Sequence, residues 1–222
     1  MLDYKQAYTA TGYSSSSYKG NNLANIAAYT WNYKNNTTIN SGYGSNTWST
    51  SLLNKTNLNK NFITNIGADW ATKIAETTWK VGGNSYANIR DAVPSVAYQN
   101  EIVSPVTTNA TDNATTYSAK VGLMYASDYG FAATPIAWTT ILDNYDYEAI
   151  INVNWMYMGL YEWTISRSAG YSYMAFGVNY HGNVYDYGVG NGAFGVRPVF
   201  YLSSSVNYVS GSGTAADPIL VN

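Results

Sequence analysis

Cysteine is absent from all 222 residues, which excludes disulfides, thiolate metal sites and cysteine nucleophiles outright. Charge is scarce as well. Asp, Glu, Lys and Arg make up 11% of the chain, against about a quarter in an ordinary soluble domain, and the formal net charge is −2. The lysines are scattered, so no basic field awaits a phosphate backbone or an anionic membrane surface, and nucleic acid is not an expected partner. Histidine occurs once, at His181. Ser172 and Asp186 lie near it in sequence, but geometry defines a Ser-His-Asp triad, and no Gly-x-Ser-x-Gly elbow surrounds any serine. A turn histidine ahead of Gly182 is the plainer reading. No apolar run approaches the roughly 18 residues needed to span a bilayer, so membrane insertion is not expected. Met1-Leu2-Asp3-Tyr4 does not open a signal peptide, and any leader or anchor is expected outside these residues. No repeat of solenoid or propeller period is present.

What the chain does hold is aromatic and amide-rich. Aromatics reach 16%, tyrosine alone accounts for 23 residues, and polarity comes from amides and hydroxyls rather than charge. Richness in Tyr, Asn, Ser, Thr and Gly is common in secreted or surface-exposed bacterial β-rich domains, so an extracellular or cell-surface location is expected. The length fits one domain with a sizeable apolar core. Its texture divides it into an N-terminal elaboration (1–45), a helical half (46–119) and a sheet with a display surface (120–222).

Leu58, Phe62, Ile66, Trp70 and Ile74 recur every four residues, a helical stripe that Gly67 breaks into two pieces, with Asp69 capping the second. Trp79-Lys80-Val81-Gly82-Gly83 ends the helix and starts a short extended segment. Residues 104–118 read as a surface loop, Val121 to Tyr125 as a strand, and Ser127-Asp128-Tyr129-Gly130 as a turn. Pro135 to Trp155 reads as a short helix with irregular connections. Beyond it Met174, Phe176 and Val178 alternate against smaller or polar residues, and His181-Gly182-Asn183 turns the chain into Val184 to Val189. A glycine-rich turn then leads to a strand from Val196 to Leu202, and a last turn through Gly211-Ser212-Gly213-Thr214 and Asp217-Pro218 precedes Ile219-Leu220-Val221. Helices first and antiparallel sheet afterwards predict an α+β fold.

The order EWTIS (162–166), GVRPVFYL (195–202) and SGSGTAADP (210–218), preceded by KVGLMYASDYG (120–130), resembles the C-terminal domain of bacterial surface and pilin-like proteins that share WTLS, GVRP and SGxGTxxDP segments. That group in turn resembles the C-type-lectin-like fold of formylglycine-generating enzymes and of diversity-generating-retroelement variable proteins. The resemblance covers roughly residues 46–222 and implies two main helices and a twisted antiparallel sheet. By this likeness Trp163 and Arg167 match the Trp strand and Gly195, Val196 and Arg197 the framing strand, while Pro198 fits the surface group. The formylglycine-generating enzymes need active-site cysteines, so their activity is not implied here.

Tyr171, Tyr173, Asn179, Tyr180, Asn183, Tyr185, Tyr187 and Asn191, with His181 and Asp186 among them, form the candidate ligand-binding face. Tyrosine gives large contact area with few torsions to freeze and keeps a polar tip, and asparagine both donates and accepts. The competing reading is ordinary cross-strand packing of half-buried aromatics. Asn, Tyr, Ser, Asp and His are also reachable from adenine-rich Asn codons, as retroelement-diversified positions would require. Asp143, Asp146 and Glu148 form one acidic knot without EF-hand spacing, and a solvated loop is expected of it. The seven tryptophans could offer a sugar platform, although apolar neighbours place most of them in a core. Arg197 is expected to be structural, with Glu162 or Asp186 as its partner.

No catalytic residue, metal or cofactor is implied. The expected function is a non-enzymatic, adhesin-like domain that binds a protein or glycan on another cell or surface. A homo-oligomeric or fibre subunit and a retroelement-diversified variable protein are the alternatives.

Overall fold

The run Glu162-Trp163-Thr164-Ile165-Ser166-Arg167-Ser168 mixes apolar, hydroxyl and charged residues, and a strand of that kind can be buried on both faces only if each polar group finds a partner. A computed structural model describes residues 16–18, 26–32, 44–105, 114–190 and 194–222. Its strands are β1 (Ser16–Tyr18), β2 (Ile26–Ala28), β3 (Thr77–Lys80), β4 (Gly83–Asn84), β5 (Thr116–Ala119), β6 (Glu162–Ser168), β7 (Met174–Val178), β8 (Val184–Gly188), β9 (Tyr208–Ser210) and β10 (Leu220–Val221). The central sheet has the order β4-β6-β7-β8, and β6 is buried at every position. Thr164 donates its hydroxyl to the Phe176 carbonyl (2.7 Å), Arg167 donates Nε to Val81 (2.6 Å) and a terminal nitrogen to Ala114 (2.8 Å), and Ser166 donates to Glu101.

β6-β7 and β7-β8 are antiparallel, whereas β4 joins β6 in parallel, so the sheet is mixed and the fold is α+β. Alternation along the strands divides the core in two. Trp163, Ile165 and Ala175 pack with Trp31, Trp48, Leu53, Leu58, Trp79 and Val121. Phe176, Val178 and Val184 pack with Ile89, Ala97, Met124, Tyr129, Leu142 and Tyr145. Buried indoles carry one N–H that needs an acceptor, and here those bonds join distant segments: Trp163 to the Tyr29 carbonyl (2.8 Å), Trp31 to Thr164 (3.0 Å) and Trp79 to Ala119 (3.0 Å). Tyr29 and Trp31, read from sequence as part of an elaboration, are core residues.

Leu53–Phe62 is a wide helix that runs into Ile63–Asn65, Gly67 breaks the stripe at φ 90°, and Ala68–Lys73 resumes it. The second helix has Gly67 at its cap. Asp69 sits inside the first turn, where its charge complements the amide dipoles. Pro94–Tyr98 continues into Gln99–Val103 as the other long helix.

Five further expectations change. Trp79 and Lys80 lie in β3 and not at a helix end, the helix having stopped at Lys73. Part of the loop at 104–118 is β5, paired with β3, and residues 106–113 lie outside the described residues. Among the described residues Val121 to Tyr125 forms no ladder beyond a Gly122–Val199 bridge. The turn at Ser127 to Gly130 is helix, Ala126–Phe131, because its leading amides are held by carboxylates: Asp128 accepts from Tyr125 N (2.9 Å), and Glu101 accepts from Ala126 N (3.1 Å) and Ser127 N (3.0 Å). Among the described residues Val196 to Leu202 makes only single bridges, at Val199 and Leu202, consistent with Pro198 lacking an amide to donate.

Candidate ligand-binding face

The face begins on a short helix that the sequence reading passed over. Ser85 caps Tyr86–Ile89, its hydroxyl accepting from Asn88 N (3.2 Å). Helical spacing places Tyr86 and Arg90 side by side. The Arg90 guanidinium lies 4.6 Å from the Tyr86 ring centre and 3.9 Å from that of Tyr185, and these two rings meet edge-on at 5.8 Å. Asp143 pairs with Arg90 (Nε–Oδ1 2.6 Å) and also accepts from the Asn183 amide (3.2 Å). Burial works against both charges. Their mutual bonds outweigh it, raising the Arg90 pKa and holding that of Asp143 below the usual carboxylate range.

Tyr171 and Tyr173 arrive from the β6-β7 connection. The buried Asn46 amide fixes that connection by donating to the carbonyls of Ser168 (2.8 Å), Tyr171 (3.1 Å) and Met174 (2.8 Å). The two rings stand 5.9 Å apart at 54°. With Tyr86, Met174, Tyr185 and Asp186 they line a cavity of about 540 Å³. Tyr171 is 54% exposed, Tyr185 37% and Asp186 only 9%. Burial raises the Asp186 pKa against the pull of its own backbone amide and of Arg90.

The rest of the predicted face divides. The rings of Tyr180, 46% exposed, and His181 meet at 3.8 Å, inclined at 41°, at the far end of the β7-β8 hairpin. Asn179 closes that hairpin by accepting from His181 N (2.7 Å) and Gly182 N (3.0 Å), and Gly182 takes φ 109°. Asn183 ties the hairpin to Asp143. Tyr187 packs against Tyr161, Trp163 and Phe194, and burial raises its pKa. Asn191 lies outside the described residues. The structure therefore brings Tyr171, Tyr173, Tyr185 and Asp186 together, and leaves Tyr180 and His181 apart from that cavity.

The framing residues sit in the core. Gly195 bonds to Trp163 N (3.0 Å) and to the Tyr161 carbonyl (2.8 Å). Arg197 grips the buried Glu162 with two bonds (2.8 and 2.9 Å) and donates to the Met156 carbonyl (2.8 Å), while Pro198 is half-buried. Of the two partners expected for Arg197, Glu162 is the one observed. Four tryptophans, Trp31, Trp48, Trp79 and Trp163, are buried, whereas Trp70, Trp138 and Trp155 reach the surface. Among the described residues no group of three or more His, Asp or Glu side chains could hold a metal ion, and no helix is long and apolar enough to cross a membrane.

Comparison of the chain with protein-family models, with curated proteins and with solved structures finds no match. Tyr86 and Arg90 at this face were not singled out from the sequence, and Asp143, expected there in a solvated acidic loop, is instead the partner of Arg90. The Ser85 cap and the Tyr-x-x-x-Arg spacing after it were the available signals.

Proposed function

We propose that this protein is a non-enzymatic, surface-displayed binding domain of C-type-lectin-like architecture, and that it captures its ligand in the tyrosine-walled cavity. One observation carries this reading: Tyr86, Tyr171, Tyr173 and Tyr185, drawn from three separate segments, converge on a single concavity instead of filling the core. Exposed aromatics on a rigid frame lose little entropy on binding and contribute large contact area. The frame here is rigid in a specific sense, since β6 beneath it is wholly buried and the Asn46 amide pins the connection that presents Tyr171. The test is binding of the labelled protein to printed extracellular proteins and oligosaccharides, comparing wild type with Tyr171→Ala and Tyr185→Ala. Loss of capture with thermal stability retained supports the reading, and unchanged capture by both variants refutes it.

A second reading, a subunit of a surface fibre, is favoured by the C-terminal hairpin. Among the described residues β9 and β10 pair only with each other, and they expose apolar side chains, Tyr208 at 66% and Leu220 at 54%. Concentration-dependent light scattering that Tyr208→Ala and Leu220→Ser abolish would establish it.

A further inference from the structure

We propose that the ligand of the tyrosine-walled cavity is a neutral saccharide, its C–H faces laid on the Tyr171 and Tyr173 rings and its hydroxyls donating to the Asp186 carboxylate. The inference rests on the binding reading above and narrows its chemistry.

Asp186 supplies the first restriction. It lines the cavity with 9% of its surface exposed. Among the described residues its own backbone amide is the only group that hydrogen-bonds to it. A carboxylate offers about four lone-pair sites, so a shielded one lacks donors that a bound molecule can supply. An anionic ligand would instead meet its charge.

Arg90 supplies the second. Tyrosine faces with a carboxylate nearby could in principle cage an organic cation. Here Arg90 already lies over two of those rings, 4.6 Å from the Tyr86 centre and 3.9 Å from the Tyr185 centre, with Asp143 as its counter-ion. A second cation drawn to those rings would come close to a guanidinium already held there, and like charges repel.

What fits is an uncharged molecule dense in hydroxyl donors that still offers apolar faces. The Tyr171 and Tyr173 rings, 5.9 Å apart and inclined at 54°, present two tilted plates to such faces. The exposed Tyr171 phenol group can exchange hydrogen bonds with the remaining hydroxyls. The volume of about 540 Å³ lies within the range of small-molecule sites. The Asp143 carboxylate is engaged by Arg90 and Asn183 and does not line the cavity, which leaves Asp186 as the carboxylate there.

The test titrates the whole protein with a panel of neutral mono- and oligosaccharides, with choline as the cationic probe and sialic acid as the anionic one, followed by saturation-transfer NMR in the presence of a chelator. The expected result is binding by at least one neutral saccharide. Asp186→Asn should weaken it about tenfold, as loss of a charge-assisted bond does. Tyr171→Ala should abolish it, and Tyr208→Ala, on the distant hairpin, should leave it unchanged. Thermal melts confirm that each variant is folded, and Tyr171→Ala at an exposed ring keeps the test decisive if Asp186→Asn does not fold. Preference for choline or sialic acid over every neutral saccharide overturns the proposal, as does saccharide binding that Tyr171→Ala leaves intact. If no saccharide binds while Tyr171→Ala still removes capture of a printed protein, the saccharide assignment fails and the binding reading stands. If Tyr171→Ala affects neither, both fail.

Discussion

Glu101 gives the fold a pH dependence that can be worked out from its surroundings. Its side chain is 2% exposed and accepts from Ala126 N, Ser127 N and the Ser166 hydroxyl, bracing the start of the Ala126–Phe131 helix against β6. Desolvation outweighs these donors and raises the carboxyl pKa from 4.5 to about 7. Between those two values the folded chain holds a proton that the unfolded chain has released, so stability falls as pH rises. Glu101's contribution is fully present below about pH 4.5 and lost above about pH 7. The size of the displacement corresponds to on the order of 3 kcal/mol, or about 6–12 °C in Tm for a chain of this length. Glu162, Asp128 and Asp186 are shifted the same way and Asp143 the opposite way, so the informative quantity is a difference between variants. Glu101→Gln removes the titration and keeps an acceptor for one of the two amides, which bond to different carboxylate oxygens. Urea unfolding from pH 4.5 to pH 8 should show wild type losing about 3 kcal/mol more than the variant. Parallel profiles for the two proteins would refute the reasoning.

Three further perturbations probe the frame. Arg197→Met leaves the buried Glu162 carboxylate without its partner and should cost about 3–5 kcal/mol in denaturant unfolding, most of it restored by adding Glu162→Gln. Gly122→Ala places a methyl group 2.6 Å from the Trp79 ring, which its bond to Ala119 holds in place; a loss of about 1–3 kcal/mol and a changed tryptophan emission are expected. Gly211 has φ 102°, and a Cβ there would collide with the Pro218 carbonyl. Gly211→Ala should open the C-terminal hairpin to proteolysis while moving the main thermal transition by less than about 1 °C, since that hairpin buries little of its surface.

The strands at 174–178 and 184–188 were legible because alternation and a tight glycine turn are local signals, whereas the one at 162–168, buried at every position, was expected only through the resemblance of its EWTIS segment. The helical stripe broken at Gly67 was legible too. The Val121 to Tyr125 segment was not, since its residues look like a strand but are held by tertiary packing and carry only the Gly122 bridge. The Ala126–Phe131 helix was missed for a similar reason: one of the carboxylates that starts it, Glu101, lies far away in sequence. At the candidate site, sequence marked a tyrosine-rich stretch but could not say which rings face outward. Tyr185 and Tyr187 are two residues apart on one strand, yet Tyr185 borders the cavity and Tyr187 is packed beside Trp163. The pairing of Arg90 with Asp143, 53 residues away, is likewise a product of the fold alone.

The most direct test of the central claim is a side-by-side capture assay of wild type, Tyr171→Ala and Tyr187→Phe on printed saccharides and extracellular proteins, read with their melting curves. Capture by wild type and by Tyr187→Phe, with loss in a fully folded Tyr171→Ala, is the predicted outcome. Equal capture by all three proteins would contradict it.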